Sequence, residues 1–253
     1  MNKKNYEFQA EVGKILNIVA SSLYSDKEIF LREYISNASD ACDKLRYEQI
    51  NNPQLIEKDE KFKIVVTTDN KKNLIEISDN GIGMNKEELI SSLGTIAKSG
   101  TEEFIKKMES EKNKDIEQIG KFGVGFYSGF MVAKKITVIS KNPSNKESWK
   151  WESDGKGTFD ISESDKKDRG TIVQVHLNDE EKDFSEKNRV ENIIKKYSDH
   201  ISHSVYINEK NSKENKEEKI NKGSALWTKD KKSIKKKNYN DLYTQSGANY
   251  DRP

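Results

Sequence analysis

Apolar residues recur with a helical period near the start of the chain, where Val12, Ile15, Leu16, Val19 and Leu23 share one face. Asp26 then stands as an N-cap before a second stripe of Ile29, Phe30, Ile35, Ala38, Ala41, Cys42 and Leu45, which ends near Tyr47. The period changes to two over Phe62–Thr68 and Asn73–Ser78. Both runs are β-branched and Asp69-Asn70 lies near the turn, so they predict a hairpin. A helix follows from Lys86 to about Leu93. The sequence from Gly94 to Gly120 is polar, Lys- and Glu-rich and only weakly helical. Further strands are predicted at Lys135–Ser140, Ser148–Glu152, Gly157–Ile161 and Thr171–Leu177, and a last helix at Arg189–His203. Helices and mostly antiparallel strands in this order predict an α+β fold, a two-layer sandwich of helices on one sheet.

The periodic pattern holds from Phe8 to about Ile207 and then stops. Glu209 to Lys222 is a mixed-charge stretch with too little apolar surface to order itself, and reads as a solvated linker. A short island, Ala225-Leu226-Trp227, precedes another Lys-rich run. The expected organisation is one domain over residues 1–208, a charged linker over 209–222, and over 223–253 the start of a further domain that is cut short. Composition fits a very soluble chain: 32% apolar and 35% charged residues, with a mean hydropathy of -0.96. The 45 basic and 43 acidic residues leave a net charge of +2, which gives no support to nucleic-acid or membrane binding as a main function. No run approaches the ~18 apolar residues of a membrane-spanning helix, and the start has no apolar leader core. A single cysteine, Cys42, excludes an internal disulfide framework and reads as a small buried residue. The default location is a reducing cytoplasm.

Three segments carry candidate chemistry. Glu33 and Asn37 are four residues apart, so both leave one helix face, which also carries Asp40. The Asn oxygen suits a hard cation such as Mg²⁺, and the Glu can deprotonate a water. By spacing alone, a solvated polar face is the simpler account. Asp79-Asn80-Gly81-Ile82-Gly83-Met84 follows a predicted strand; its glycines let a flat ligand approach closely, and Asp79 can accept from an exocyclic amine. An ordinary Gly-rich turn explains this segment equally well. Gly120-Lys121-Phe122-Gly123-Val124-Gly125-Phe126 leads into an apolar run to Val132 and is neither a Walker A motif nor a Rossmann fingerprint. Glycines before a helix N-terminus favour a phosphate cradle there.

Together these segments resemble the 90-kilodalton heat-shock chaperone family. The resemblance is carried by Phe30 to Ala41, Asp79 to Met84, Leu93 to Thr101 and Gly120 to Ser128, in that order, with Gly170-Thr171 and Lys196 to Ile201 also fitting. Ser148 to Gly155 leans toward the bacterial branch, and Ala225-Leu226-Trp227 resembles the opening of the family's middle domain.

The resemblance implies an N-terminal ATP-binding domain of the Bergerat type, shared with gyrase, mismatch-repair proteins and sensor histidine kinases. It implies Mg-ATP and ADP as ligands, with ATP hydrolysed to drive a chaperone cycle on client proteins. Glu33 would be the general base and Asn37 the Mg²⁺ ligand. Asp79 would accept the adenine amino group, helped by Thr171, with Gly83 and Met84 lining the base pocket. Asp40, Ser92, Lys98, Phe122, Gly123, Val124, Gly125 and Phe126 would complete the nucleotide contacts. Gly94 to Gly125 would form a lid. A homodimer is implied for the full-length protein and a monomer for this chain, with slow turnover. Arg32, pointing about 100° from Glu33, is a poor candidate for neutralising the γ-phosphate. Three positions depart from the family pattern: Ser92, Lys121 in place of a usual Gln, and Gly129 in place of a larger apolar residue.

Three other functions would need different features in the sequence. A histidine kinase needs an acceptor His upstream of the ATP motifs, whereas His176, His200 and His203 all lie downstream. A DNA-directed ATPase is disfavoured by the charge balance. A nucleotide-gated module that no longer hydrolyses is disfavoured by Glu33 and Asn37.

Overall fold

A computed structural model of the chain describes residues 26–56, 60–95, 123–210, 212 and 216–223. The helical stripe at Val12–Leu23, the segment from Ile96 to Phe122 (most of the expected lid, with Lys98) and Ala225-Leu226-Trp227 lie outside the described residues.

Helix α1, Ile29–Asn51, buries Phe30, Leu31, Ile35, Ala38, Cys42 and Leu45, the face that the 3.6 period predicts. Asp26 acts one step earlier than expected. Its Oδ1 accepts from Glu28 N at 2.9 Å, so it holds the turn before the helix rather than the first helical turn itself. The Glu28 carboxylate is gripped instead by Arg189 at 2.7 Å and Lys196 at 2.9 Å.

Among the described residues, one eight-stranded sheet lies under the helices. Its strands are β1 Lys63–Asp69, β2 Leu74–Asp79, β3 Ala133–Lys141, β4 Ser148–Ser153, β5 Asp160–Ser164, β6 Gly170–Leu177, β7 Ser204–Glu209 and β8 Glu218–Lys219, in the spatial order β5-β4-β3-β6-β2-β1-β7-β8. Every pairing is antiparallel except β1 with β7. Alternation sends Ile64, Val66, Ile75, Ile77, Ile136, Val138, Val175 and Leu177 to a single core face. There they meet α1 and Val190, Ile193 and Ile194 of α3, Lys187–Tyr197. Each such side chain contributes about 1.5–3 kcal/mol by leaving water. The α+β, mostly antiparallel two-layer architecture is the one expected. Helix α2, Lys86–Leu93, begins where the pattern places it because Asn85 and Glu88 form a reciprocal capping box.

Three boundaries differ from expectation. Strand β5 starts at Asp160, not Gly157, because Gly155 and Gly157 both take positive φ and make the turn from β4. Helix α3 ends at Tyr197 rather than His203, and the chain turns into β7, whose three-residue alternation Val205-Tyr206-Ile207 is too short to stand out. The stretch read as a solvated linker is in part ordered. Residues 218–219 pair with β7, and Asn221, 5% exposed, accepts from Val205 N at 2.9 Å while donating to Ile201 O at 2.8 Å and His203 O at 2.9 Å. One buried amide, together with Ile220 against the core, offsets what composition cannot supply.

Candidate functional site

Asp79 ends β2. Its Oδ1 accepts from Gly81 N at 2.9 Å and from Thr171 N at 3.3 Å, and among the described residues its Oδ2 has no hydrogen-bond partner. Burial pushes the carboxyl up to about 7, against the opposing pull of those two amides and of the Lys166 charge. The loop after Asp79 lies directly on α1. Ile82 N donates to Ala41 O at 3.1 Å, and a Cβ on Gly81 would come within 2.6 Å of the Ala41 carbonyl carbon. Gly83 is required twice over: its φ is +65°, and a Cβ there would lie 2.0 Å from Lys141 O.

Met84 and Thr171 are joined through a residue that the sequence reading did not single out. Ser140 Oγ accepts from Met84 N at 2.8 Å and lies 2.8 Å from Thr171 Oγ1. Ser140 is fully buried on the same strand face as Ile136 and Val138. A lone hydroxyl in an apolar alternation was the available signal, because such a group needs a partner.

The other end of the site is the face of α1 that carries Glu33, Asn37 and Asp40. Asp40 is buried, 2% exposed, and Asn37 is exposed with no hydrogen-bond partner among the described residues. Glu33 lies against the Gly-rich segment: a Cβ on Gly125 would come within 2.3 Å of Glu33 Oε2. Only a residue without a side chain lets the carboxylate lie so close to that backbone. Gly123, at φ +63°, and Val124 lead into a 3₁₀ turn over Gly125–Met131 rather than an α-helix. The first amides of such a turn have no carbonyl of a preceding turn to bond. Tyr34 Oη donates to Phe126 O at 2.9 Å, and Tyr127 Oη donates to Leu93 O at 3.1 Å, so the turn is tied to both α1 and α2.

Arg32 corrects an expectation. Its backbone does point away, but its long side chain curls back, and Nη2 and Nε donate to Glu33 Oε1 at 2.6 and 3.2 Å. An arginine therefore does stand beside the candidate base. Ser92 lies in α2, half-buried, and no described hydrogen bond joins it to Asp79 or Glu33. Lys98 and Phe122 are outside the described residues. No group of three or more His, Cys, Asp or Glu side chains that could hold a metal occurs among the described residues. Nor is any helix among them long and apolar enough to cross a membrane. His203 is buried against Asp43 at 3.0 Å and His176 lies on β6 beside Thr137, so both imidazoles serve the fold.

The family model described as histidine kinase-, DNA gyrase B- and HSP90-like ATPase matches residues 24–205. Chaperone protein HtpG of Roseobacter denitrificans is 46% identical over 99% of this chain and 39% of its own length. The HtpG of Wolbachia pipientis wMel is 50% identical over 95% of this chain and 38% of its own, and that of Rickettsia massiliae 48% over 100% and 40%. The chain thus spans about two fifths of the length of the curated relatives it matches.

Proposed function

The chain belongs to the histidine kinase-, DNA gyrase B- and HSP90-like ATPase family, and we propose that it binds Mg-ATP in the cleft between α1 and the ends of β2 and β6 and hydrolyses it with Glu33 as general base. The observation that carries this reading is the spacing of two contacts along α1. The Asp79 loop rests on Ala41, and the Gly-rich turn rests on Glu33. Eight residues of helix separate them, about 12 Å, so one rigid element holds both ends of an elongated ligand.

At one end, Asp79 Oδ1 is occupied by two amides and Oδ2 is left for the adenine amino group. Gly83, Met84 and the Ser140–Thr171 pair border that end. At the other end, the amides from Gly123 to Phe126 supply donors for phosphate oxygens. Glu33 takes the proton of the attacking water, and Arg32 fixes which of its oxygens is free to do so. Asp40, Ser92, Lys98 and Phe122 complete the proposed contacts. The residues present fit a Mg²⁺ ion that arrives with the triphosphate: the exposed Asn37 amide, without a hydrogen-bond partner among the described residues, offers one neutral oxygen, and such ions keep phosphate and water as their other ligands. When bound, the ion would neutralise charge on the phosphates.

The HtpG relatives are named as chaperones, and we extend that reading here: nucleotide turnover in this domain would drive a conformational cycle on client proteins, in the cytoplasm, within a homodimer of the full-length protein. Calorimetric titration with Mg-ATP and with ATP in EDTA tests the core of the proposal. Saturable binding of one ATP, weakened by EDTA, supports it. A chain that takes up neither form refutes it.

A further inference from the structure

Beyond the backbone ladder inside the 3₁₀ turn over Gly125–Met131, three bonds reach the carbonyls at its start. Val124 O accepts from Tyr127 N at 3.1 Å and Gly125 O from Ser128 Oγ at 2.5 Å, both within the turn. Phe126 O accepts from Tyr34 Oη at 2.9 Å, across 92 residues of sequence. This third bond ties the turn to α1.

Tyr34 follows Glu33 in α1 but points into the core, 3% exposed. Its ring packs edge-on against Phe30 at 6.0 Å and tilted against Phe126 at 5.8 Å. Burial pushes its ionisation well above the usual tyrosine range, so the hydroxyl remains a donor. That hydroxyl fills the place where a side chain at 129 would begin: a Cβ on Gly129 would lie 1.9 Å from Tyr34 Oη and 2.7 Å from Cζ. The two residues are one unit. The phenol fits only over a glycine, and the glycine would leave a void without the phenol. Gly129, a departure from the family pattern in the sequence, is in this chain the seat of Tyr34.

We infer that Tyr34 is a positioning residue for the phosphate-facing edge of the turn, acting through the Phe126 carbonyl to set how the Gly123–Phe126 amides stand over α1 and Glu33. The inference rests on the nucleotide reading above. It separates two parts of the ligand, because the hydrogen bond and ring contacts described for Tyr34 go to Phe126 and Phe30 and not to Asp79. Losing the hydroxyl weakens the grip on phosphates and leaves the grip on the base intact.

The test is calorimetric affinity of the whole chain for ADP and for adenosine, in the parent, in Tyr34→Phe, and in a Tyr34→Leu/Gly129→Ala double variant that refills the space without the hydrogen bond. Tyr34→Phe should raise the Kd for ADP by about 2- to 10-fold, the loss of one neutral hydrogen bond, and leave adenosine unchanged. The double variant should show the same phosphate-specific loss; if it does not fold, Tyr34→Phe decides alone. Equal weakening of both ligands, or no change for ADP, overturns the inference. A parent chain that binds adenosine as tightly as ADP overturns the phosphate assignment of the turn instead, which is a separate failure.

Discussion

Replacing Asp79 by Asn should destroy nucleotide binding and at the same time stabilise the fold at alkaline pH. The side chain is held by two amides on one oxygen. An Asn there must turn its carbonyl to Gly81 N and Thr171 N, which places its NH₂ where Oδ2 now stands without a partner among the described residues. The adenine amino group would then meet a donor. Loss of a charge-assisted hydrogen bond costs about 1.5–3 kcal/mol, or roughly 10- to 150-fold in affinity, before any penalty for the unpaired donors. Stability moves the other way. Burial lifts the carboxyl from 3.8 to about 7, so the folded chain holds a proton that the unfolded chain has released. The ionised form is disfavoured in the fold. The parent therefore loses stability as pH rises from about 4 to 7, and the whole cost is present above that window. The cost is on the order of a few kcal/mol. The Asn variant carries no such cost. Urea denaturation at about pH 4.5 and pH 8, with ADP calorimetry beside it, reads both effects. ADP binding within a few-fold of the parent would remove Asp79 from the site. A stability difference that does not grow between the two pH values would refute the burial argument.

Three further outcomes follow from the same geometry. Nucleotide affinity should fall as pH drops through about 7, to about a tenth of its plateau near pH 6, with proton release on binding; calorimetry in buffers of different ionisation enthalpy checks this, and a flat profile contradicts it. Gly125→Ala places a methyl group 2.3 Å from Glu33 Oε2, so single-turnover hydrolysis at saturating ATP should fall at least tenfold as the carboxylate is displaced; an unchanged rate would mean that Glu33 need not lie there. Asn221→Ala strips three hydrogen bonds from buried backbone groups and should cost about 1–3 kcal/mol in urea denaturation, whereas a loss below about 0.5 kcal/mol would show that the 216–223 segment does not contribute to the fold.

The sequence was most readable where a pattern runs long. The α1 stripe, the β1–β2 hairpin and the start of α2 each carry ten or more residues of period or a complete capping motif, and each forms where expected. Short elements were hidden. Strand β7 has three alternating residues and β8 has two, and their order depends on Asn221, a polar residue inside a charged stretch. The site divides in the same way. In the candidate site, Gly83 and Gly125 are marked by residue type, because only glycine fits those positions, and Asp79 is marked by its place at the strand end just before the first of them. Arg32, Ser140 and Tyr34 act through contacts with distant or curled-back groups. Helical spacing gives the direction in which a side chain leaves the backbone, but not where a long flexible one ends. Arg32 shows the difference: its Cβ points away from Glu33 while its guanidinium lies on the Glu33 carboxylate.

The central claim is that Glu33 performs the chemistry in a site whose binding it does not control. Single-turnover hydrolysis of radiolabelled ATP by the parent and by Glu33→Ala, with nucleotide affinity measured on the same samples, tests it most directly. The account predicts affinity within a few-fold and hydrolysis slowed by about 10²–10⁴. Hydrolysis by Glu33→Ala at the parent rate, with ATP bound equally well, would contradict it.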